Sequence, residues 1–166
     1  MPRAYIALGA NLGRREQTIL RAVRLLEARG VGNTVRVSSL YESDAVGMGK
    51  APAFINAVAE VVPLLRPRDL LQRLKAIEAE LGRTSGHNQS REIDLDLVAC
   101  ADEVVEESEL ILPHPRYHER AFVLVPLSEL APSFRDPRTH RSVAELLARC
   151  DAHSMRRVSG RGWIAR

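Results

Sequence analysis

The sequence predicts an α+β fold, and three observations carry that prediction. Short apolar runs with a period of two alternate with stretches whose apolar residues recur every three or four positions. Over about the first hundred residues their order is strand, helix, strand, strand, helix, strand. No repeat, low-complexity segment or Pro/Gly/Ser-rich linker divides the 166 residues, a length suited to one domain with its own core.

Ala4 to Leu8 is an apolar run closed by Gly9-Ala10-Asn11-Leu12-Gly13, a strand entering a turn. From Arg14 to Ala28, Ile19, Val23 and Leu26 recur at helical spacing, with Leu20 on the adjoining row, and Gly30 supplies the stop. Thr34 to Tyr41 alternates as a strand should, with Val35, Val37 and Ser39 on one side. A loop from Ser43 to Pro52 leads to a strand from Phe54 to Val62. The second helix runs from about Pro67 to Leu81 on a stripe of Leu70, Leu74, Ile77 and Leu81. Pro67 suits its first turn, where a missing N–H loses no helical partner, and Gly82 ends it. A polar loop, Arg83 to Arg91, precedes Ile93 to Cys100, an apolar strand interrupted by Asp94 and Asp96.

This βαββαβ order predicts a split-βαβ, ferredoxin-like sheet with both helices on one face. C-terminal helical additions follow: an extended piece at Leu110 to Leu112, a Pro-His-Pro turn, a helix near Ala121 to Leu130 and another near Ser142 to Cys150. A single domain spans residues 1–166, with roughly the last ten, rich in arginine, expected as a flexible tail.

Composition narrows the class. Hydrophobic residues at 45% and charged residues at 27% exclude a disordered or collagen-like chain. Cys100 and Cys150 have no CxxC spacing and fit a reducing compartment better than a disulfide framework. No apolar run approaches the ~20 residues of a membrane span, and the apolar N-terminus is too short for a signal peptide. The expected location is cytoplasmic, with no membrane partner. A net charge of +3 suits a small anionic ligand as well as nucleic acid. Aromatic residues at 4%, with no aromatic pair on a strand among basic residues, point away from nucleic acid.

Asp94-Leu95-Asp96 is the sharpest local signal. Residues two apart on a strand share a face, so both carboxylates emerge together, roughly 7 Å apart at the backbone. Leu95 meanwhile points to the apolar side. Such a pair suits one or two Mg²⁺ ions neutralising a polyphosphate, or equally an exposed face paired with Arg91 or Arg83. Arg91, Arg83, His114, Arg116 and Arg120 gather guanidinium groups and an imidazole around these acids, the constellation expected of phosphoryl-type transfer. Neither GxxxxGK[ST] nor GxGxxG is present, so ATP would be held outside the P-loop design. Phe54 and Asn56 likewise share a face, an aromatic plane beside an amide that both donates and accepts, suited to a flat heterocycle or to a core ring beside a loop tie. Glu119 and Arg120 read equally as a surface ion pair, Glu78 lies on the polar side of its helix, and Phe122 opens a helix where a core role is ordinary.

Five blocks stand in one order: Tyr5 to Gly13, Phe54-Ile55-Asn56-Ala57-Val58, Arg91-Glu92-Ile93-Asp94-Leu95-Asp96-Leu97, Leu112-Pro113-His114-Pro115-Arg116, and Glu119 to Leu127. Together they resemble the 6-hydroxymethyl-7,8-dihydropterin pyrophosphokinase family of folate biosynthesis. The resemblance implies transfer of the β,γ-diphosphate of ATP to the pterin's hydroxymethyl group, releasing AMP. It implies two Mg²⁺ ions on Asp94 and Asp96, catalytic roles for Arg83 and Arg91 beside them, and ATP contacts from Glu78, Arg83, Arg91, Leu97, His114 and Arg120. The pterin would lie between Phe54 and Phe122, with Asn56 reading its amide edge and Ser43, Asp44 and Val46 completing the pocket. ATP and hydroxymethyl-dihydropterin are the implied partners of a monomer, with a dimer left open. The sequence departs from the family at His87-Asn88-Gln89-Ser90-Arg91, where Arg-Trp-Gly-Pro-Arg is common, and at Ser43-Asp44-Ala45. A divergent paralogue acting on or binding a related pterin, and a nucleic-acid-binding ferredoxin-like module, are the alternatives.

Overall fold

Alternation in the first apolar run builds β1 (Ala4–Ala10), an interior strand of a six-stranded sheet in the computed structural model, which describes residues 1–45, 52–82 and 93–165. Ala4, Ile6, Leu8 and Ala10 enter one core with the helices α1 (Arg15–Ala28) and α2 (Pro67–Glu80). Tyr5 and Ala7 enter a second core, on the opposite face, with α3 (Ala121–Leu130) and α4 (Val143–Ala148). The sheet is therefore a middle layer between two pairs of helices. Its strands β2 (Gly32–Val37), β3 (Leu40–Ser43), β4 (Phe54–Pro63), β5 (Asp94–Cys100) and β8 (Arg156–Ser159) follow the order β5-β1-β4-β3-β8, with β2 also on β4. Every pairing is antiparallel. Fourth strand, first, third, then second is the ferredoxin-like order, and α1 and α2 share one face as expected. A small hairpin of β6 (Val105–Glu106) and β7 (Ile111–Leu112) stands apart from the sheet.

Two expectations are corrected. The single strand expected over Thr34 to Tyr41 is broken into β2 and β3 at Ser38 and Ser39, both buried. Ser38 N still donates to Val58 O (2.9 Å), and side chains supply the other bonds: Ser38 Oγ accepts from Val58 N (2.9 Å) and donates to Ser39 O (2.8 Å), while the Glu129 carboxylate accepts from Ser39 N (3.0 Å). Val35 does not face the core with Val37 and Ser39. It is the extra residue where the β2 register slips between Thr34 and Arg36, and its side chain is exposed. The C-terminus is not a loose tail over 156–165: β8 adds to β3, and a 3-10 turn (Arg161–Ala165) buries Trp163, whose Nε1 donates to Ser38 O (2.8 Å). The indole both fills the first core and satisfies a carbonyl at the strand break, and Arg161 Nε adds an ion pair to Glu129 Oε1 (3.5 Å).

α3 crosses the second face from β5 to β3. At its end Glu129 accepts from Tyr41 Oη (2.6 Å). Its start is fixed by a 3-10 turn (Tyr117–Glu119), whose buried Tyr117 donates to Asp136 Oδ2 (2.7 Å).

Candidate active site

Period-two alternation decides which residues meet. On β5, Leu95 and Leu97 turn into the first core, so Asp94 and Asp96 stand on the α3 face of the sheet. Register sets their neighbours across it: Gly9 pairs with Asp94 on one side and Asn56 on the other, and Asn56 pairs with Tyr41. Asp94 and Asn56 are thus two strand spacings apart, about 10 Å at the backbone, with Gly9 between them.

The start of α3 closes one end of this row. Arg120 Nη1 lies 3.9 Å from Asp96 Oδ2, and the guanidinium sits 5.6 Å over the Phe122 ring. Arg120 does not pair with Glu119, as a surface reading expected; Glu119 turns instead to Arg116 Nε (2.7 Å). The helix start that puts Phe122 beside the sheet thereby also aims a cation at the acids. Glu78 is another correction, since it is 6% exposed rather than solvated. Its Oε2 accepts from Leu95 N (3.0 Å), the peptide between the two aspartates. β5 is an edge strand, and this carboxylate from α2 satisfies an N–H that the sheet leaves unpaired.

A cleft of about 230 Å³ opens beside Asp96, between α2 and the β6–β7 hairpin. Leu71, Leu97, Leu110 and Ile111 give it apolar walls, with His114, Ser108 and Glu109 as polar groups. His114 N donates to Val98 O (2.7 Å), and its Nδ1 accepts from Arg116 N (3.1 Å). Burial and the neighbouring Arg120 and Arg116 push the imidazole down to about 4, against the pull of Asp94. At neutral pH the ring is uncharged, and with Nδ1 accepting, Nε2 carries the hydrogen.

At the other end of the row, Asn56 Nδ2 donates to Ser43 Oγ (2.7 Å) and more weakly to Tyr41 O (3.4 Å). The amide is thereby held with Oδ1 on the Gly9 side. Ser43 is buried, Asp44 is exposed, and Phe54 is partly covered. Phe54 and Phe122 make no ring contact with each other among the described residues. Two residues that no spacing singled out hold the chain beside Phe54: Asn11 Nδ2 donates to Pro52 O (3.2 Å), and Arg15 Nη1 donates to Ala53 O (2.7 Å) and to Glu42 Oε2 (3.2 Å). Their only signal was position, at the close of β1 and the start of α1. Leu71, Leu110 and Ile111 carried no signal beyond apolarity. Val46, Arg83, Arg91 and the divergent stretch 87–91 lie outside the described residues.

The model of the 7,8-dihydro-6-hydroxymethylpterin-pyrophosphokinase (HPPK) family matches residues 5–132, more than half of the chain. The chain belongs to this family. A 2-amino-4-hydroxy-6-hydroxymethyldihydropteridine pyrophosphokinase of Bacillus subtilis is 44% identical over 128 residues, 76% of this chain and 77% of its own length. The enzyme of the same name from Pseudomonas aeruginosa is 39% identical over 159 residues, 95% and 98% of the two chains. Among solved structures, an HPPK-DHPS chain in complex with substrates superposes with a TM-score of 0.73 over 94% of this chain at 12% identity. Plasmodium falciparum HPPK-DHPS with pterin and p-hydrobenzoate gives 0.70 over 89% at 15% identity. This chain spans less than half of those two solved chains, 46% and 44%, and at such identities they bear on the HPPK fold alone.

Proposed function

We infer that this HPPK-family chain transfers the β,γ-diphosphate of ATP to the hydroxymethyl group of 6-hydroxymethyl-7,8-dihydropterin, releasing AMP, a step in folate biosynthesis. The observation that carries the reading is the row Asp94–Gly9–Asn56, which sets an amide about 10 Å from Asp94, whose neighbour on the same strand face, Asp96, borders a largely apolar cleft. A two-ring heterocycle with a hydroxymethyl arm spans such a row, amide edge toward Asn56 and alcohol toward Asp94. The nucleoside end of ATP suits the cleft walled by Leu71, Leu97, Leu110 and Ile111, which brings its phosphates past His114 to Asp96 and Arg120.

The donor set fits Mg²⁺. It consists of two hard carboxylates on one strand face, and among the described residues no group of three or more His, Cys, Asp or Glu forms a cage. Mg²⁺ keeps several waters and is bound through one or two carboxylates plus substrate phosphates. Two such ions on Asp94 and Asp96 would neutralise phosphate charge and lower the pKa of the attacking alcohol. The chain's own groups orient and shield. Glu78 fixes the peptide between the aspartates, Arg120 supplies a guanidinium for phosphate oxygens, and His114 offers a neutral Nε2–H donor. Phe54 and Phe122 flank the ring, and Asn56 Oδ1 accepts from its amide edge. Arg83 and Arg91 complete the proposed phosphate contacts and the catalytic set. The new bond joins the hydroxymethyl oxygen to the β-phosphorus, the bond to the α-phosphate oxygen breaks, and the alcohol proton passes to solvent.

No helix among the described residues is long and apolar enough to cross a membrane. A cytoplasmic, monomeric enzyme acting on these small molecules completes the proposal. AMP release by purified protein with Mg²⁺, ATP and the reduced pterin tests it: AMP formed only when the pterin is present is the expected result. Its absence overturns the reading.

A further inference from the structure

We propose that Gly9 is a specificity-determining residue: its missing side chain makes the bare floor on which the pterin ring lies. The inference deepens the pyrophosphokinase reading and rests on it. β1 is flanked by β4 and β5 and covered on both faces by helices, and six of its seven residues are buried. Gly9 is the exception. Directly opposed residues of an antiparallel sheet share a face, so a side chain at position 9 would rise between Asp94 and Asn56.

The fold itself does not ask for glycine at this position. The Gly9 backbone lies outside the left-handed region, and a Cβ there would meet Asn56 Oδ1 at 3.4 Å and Phe54 Cδ1 at 3.6 Å, ordinary contacts. Gly32 shows what a structural glycine looks like in this sheet: a Cβ there would come within 2.4 Å of Val62 O. Glycine inside a strand is less stable than alanine because it loses more backbone freedom on folding, so the empty space at position 9 works against stability. What benefits is a ligand, since glycine in a strand interior often marks a close approach. Ring atoms resting on the strand need the layer about 3.5–4.0 Å above it, and a methyl group would occupy that layer. The same methyl would stand in contact with Asn56 Oδ1, the atom placed to read the ring's edge, and occupy the space beside it.

Gly9→Ala and Gly9→Ser test the proposal, with steady-state kinetics, ATP binding by calorimetry in the presence of Mg²⁺, and thermal melting as readouts. In both variants the pterin KM is expected to rise about tenfold to a hundredfold, while the ATP dissociation constant stays within about twofold. Tm should stay at or above that of the parent protein. An unchanged pterin KM overturns the role of Gly9 and leaves the activity standing. Equal losses of ATP and pterin affinity with a lowered Tm also overturn it, in favour of a packing role. A parent protein that neither releases AMP nor binds the pterin overturns the activity and this inference together.

Discussion

On the α1–α2 side of the sheet, β1 and β4 present Ala4, Ile6, Leu8, Ala10, Ile55, Ala57, Ala59 and Val61, an unbroken apolar floor under two helices. On the other side the same strands present Tyr5, Ala7 and Val58 beneath α3 and α4, then Gly9, Asn56 and Phe54, where Gly9 and Phe54 are only partly covered. One face is filled to its ends, and the other is left unfinished at the end that carries Asp94 and Asp96. Because the side-chain period of a strand is two, a slip of one residue would exchange the faces, burying the aspartates and exposing Leu95 and Leu97. The packed face therefore holds the register on which the open face depends.

The comparison breaks most sharply through paired substitutions. Asp94→Ala and Asp96→Ala are expected to lower kcat by about a hundred- to a thousandfold or more while Tm holds. Leu74→Ala, fully buried on the packed face, should destabilise by about 2–5 kcal/mol while the folded fraction keeps its turnover. AMP-release assays alongside urea melts read both; an aspartate variant that is strongly destabilised while its folded fraction turns over normally would reverse the division between the faces.

Glu78 sharpens it next, because it belongs to the packed-side helix yet holds the peptide between the aspartates. Glu78→Ala leaves the Leu95 N–H without that acceptor, expected to lower stability by about 1–3 kcal/mol and to lower kcat more than it raises the ATP KM. Glu78→Gln keeps an acceptor oxygen and should restore much of both, measured by the same melts and kinetics.

The smallest effect is a slope. The His114 pKa is depressed from 6.5 to about 4 on folding, so between those values the unfolded chain binds the extra proton. Its contribution to stability is therefore complete above about pH 6.5, falls as the pH drops toward 4 and levels off below. His114→Gln should flatten Tm against pH in that window and leave the neutral-pH Tm nearly unchanged; a parallel curve would show the imidazole to be no more buried than in the unfolded chain.

What the sequence made legible follows from periodicity. Alternation alone put Asp94 with Asp96, Phe54 with Asn56, and Leu95 opposite, and the helical stripes of Ile19, Val23, Leu26 and Leu70, Leu74, Ile77 mark the buried sides of α1 and α2. Contacts that cross between elements left no such trace. A helical wheel sets Glu78 among solvated acids, and its bond to the Leu95 N–H on β5 leaves no mark in the helix's own pattern. The break at Ser38 and Ser39 depends on hydroxyls and on Glu129, about ninety positions along the chain. Arg120 lies by Asp96 rather than its neighbour Glu119 because the turn before α3 aims it there, and the arginine-rich end joins the sheet through β8, with Trp163 buried just beyond it.

The central claim is that the unfinished face holds divalent cations on two acids beside a nucleotide. Binding of Mn²⁺, as a magnetic stand-in for Mg²⁺, can be followed with a non-hydrolysable ATP analogue present, in the parent protein and in the Asp94→Asn/Asp96→Asn double variant. The account predicts saturable uptake by the parent, lost in the variant with its circular dichroism unchanged. Equal uptake by both proteins would contradict it.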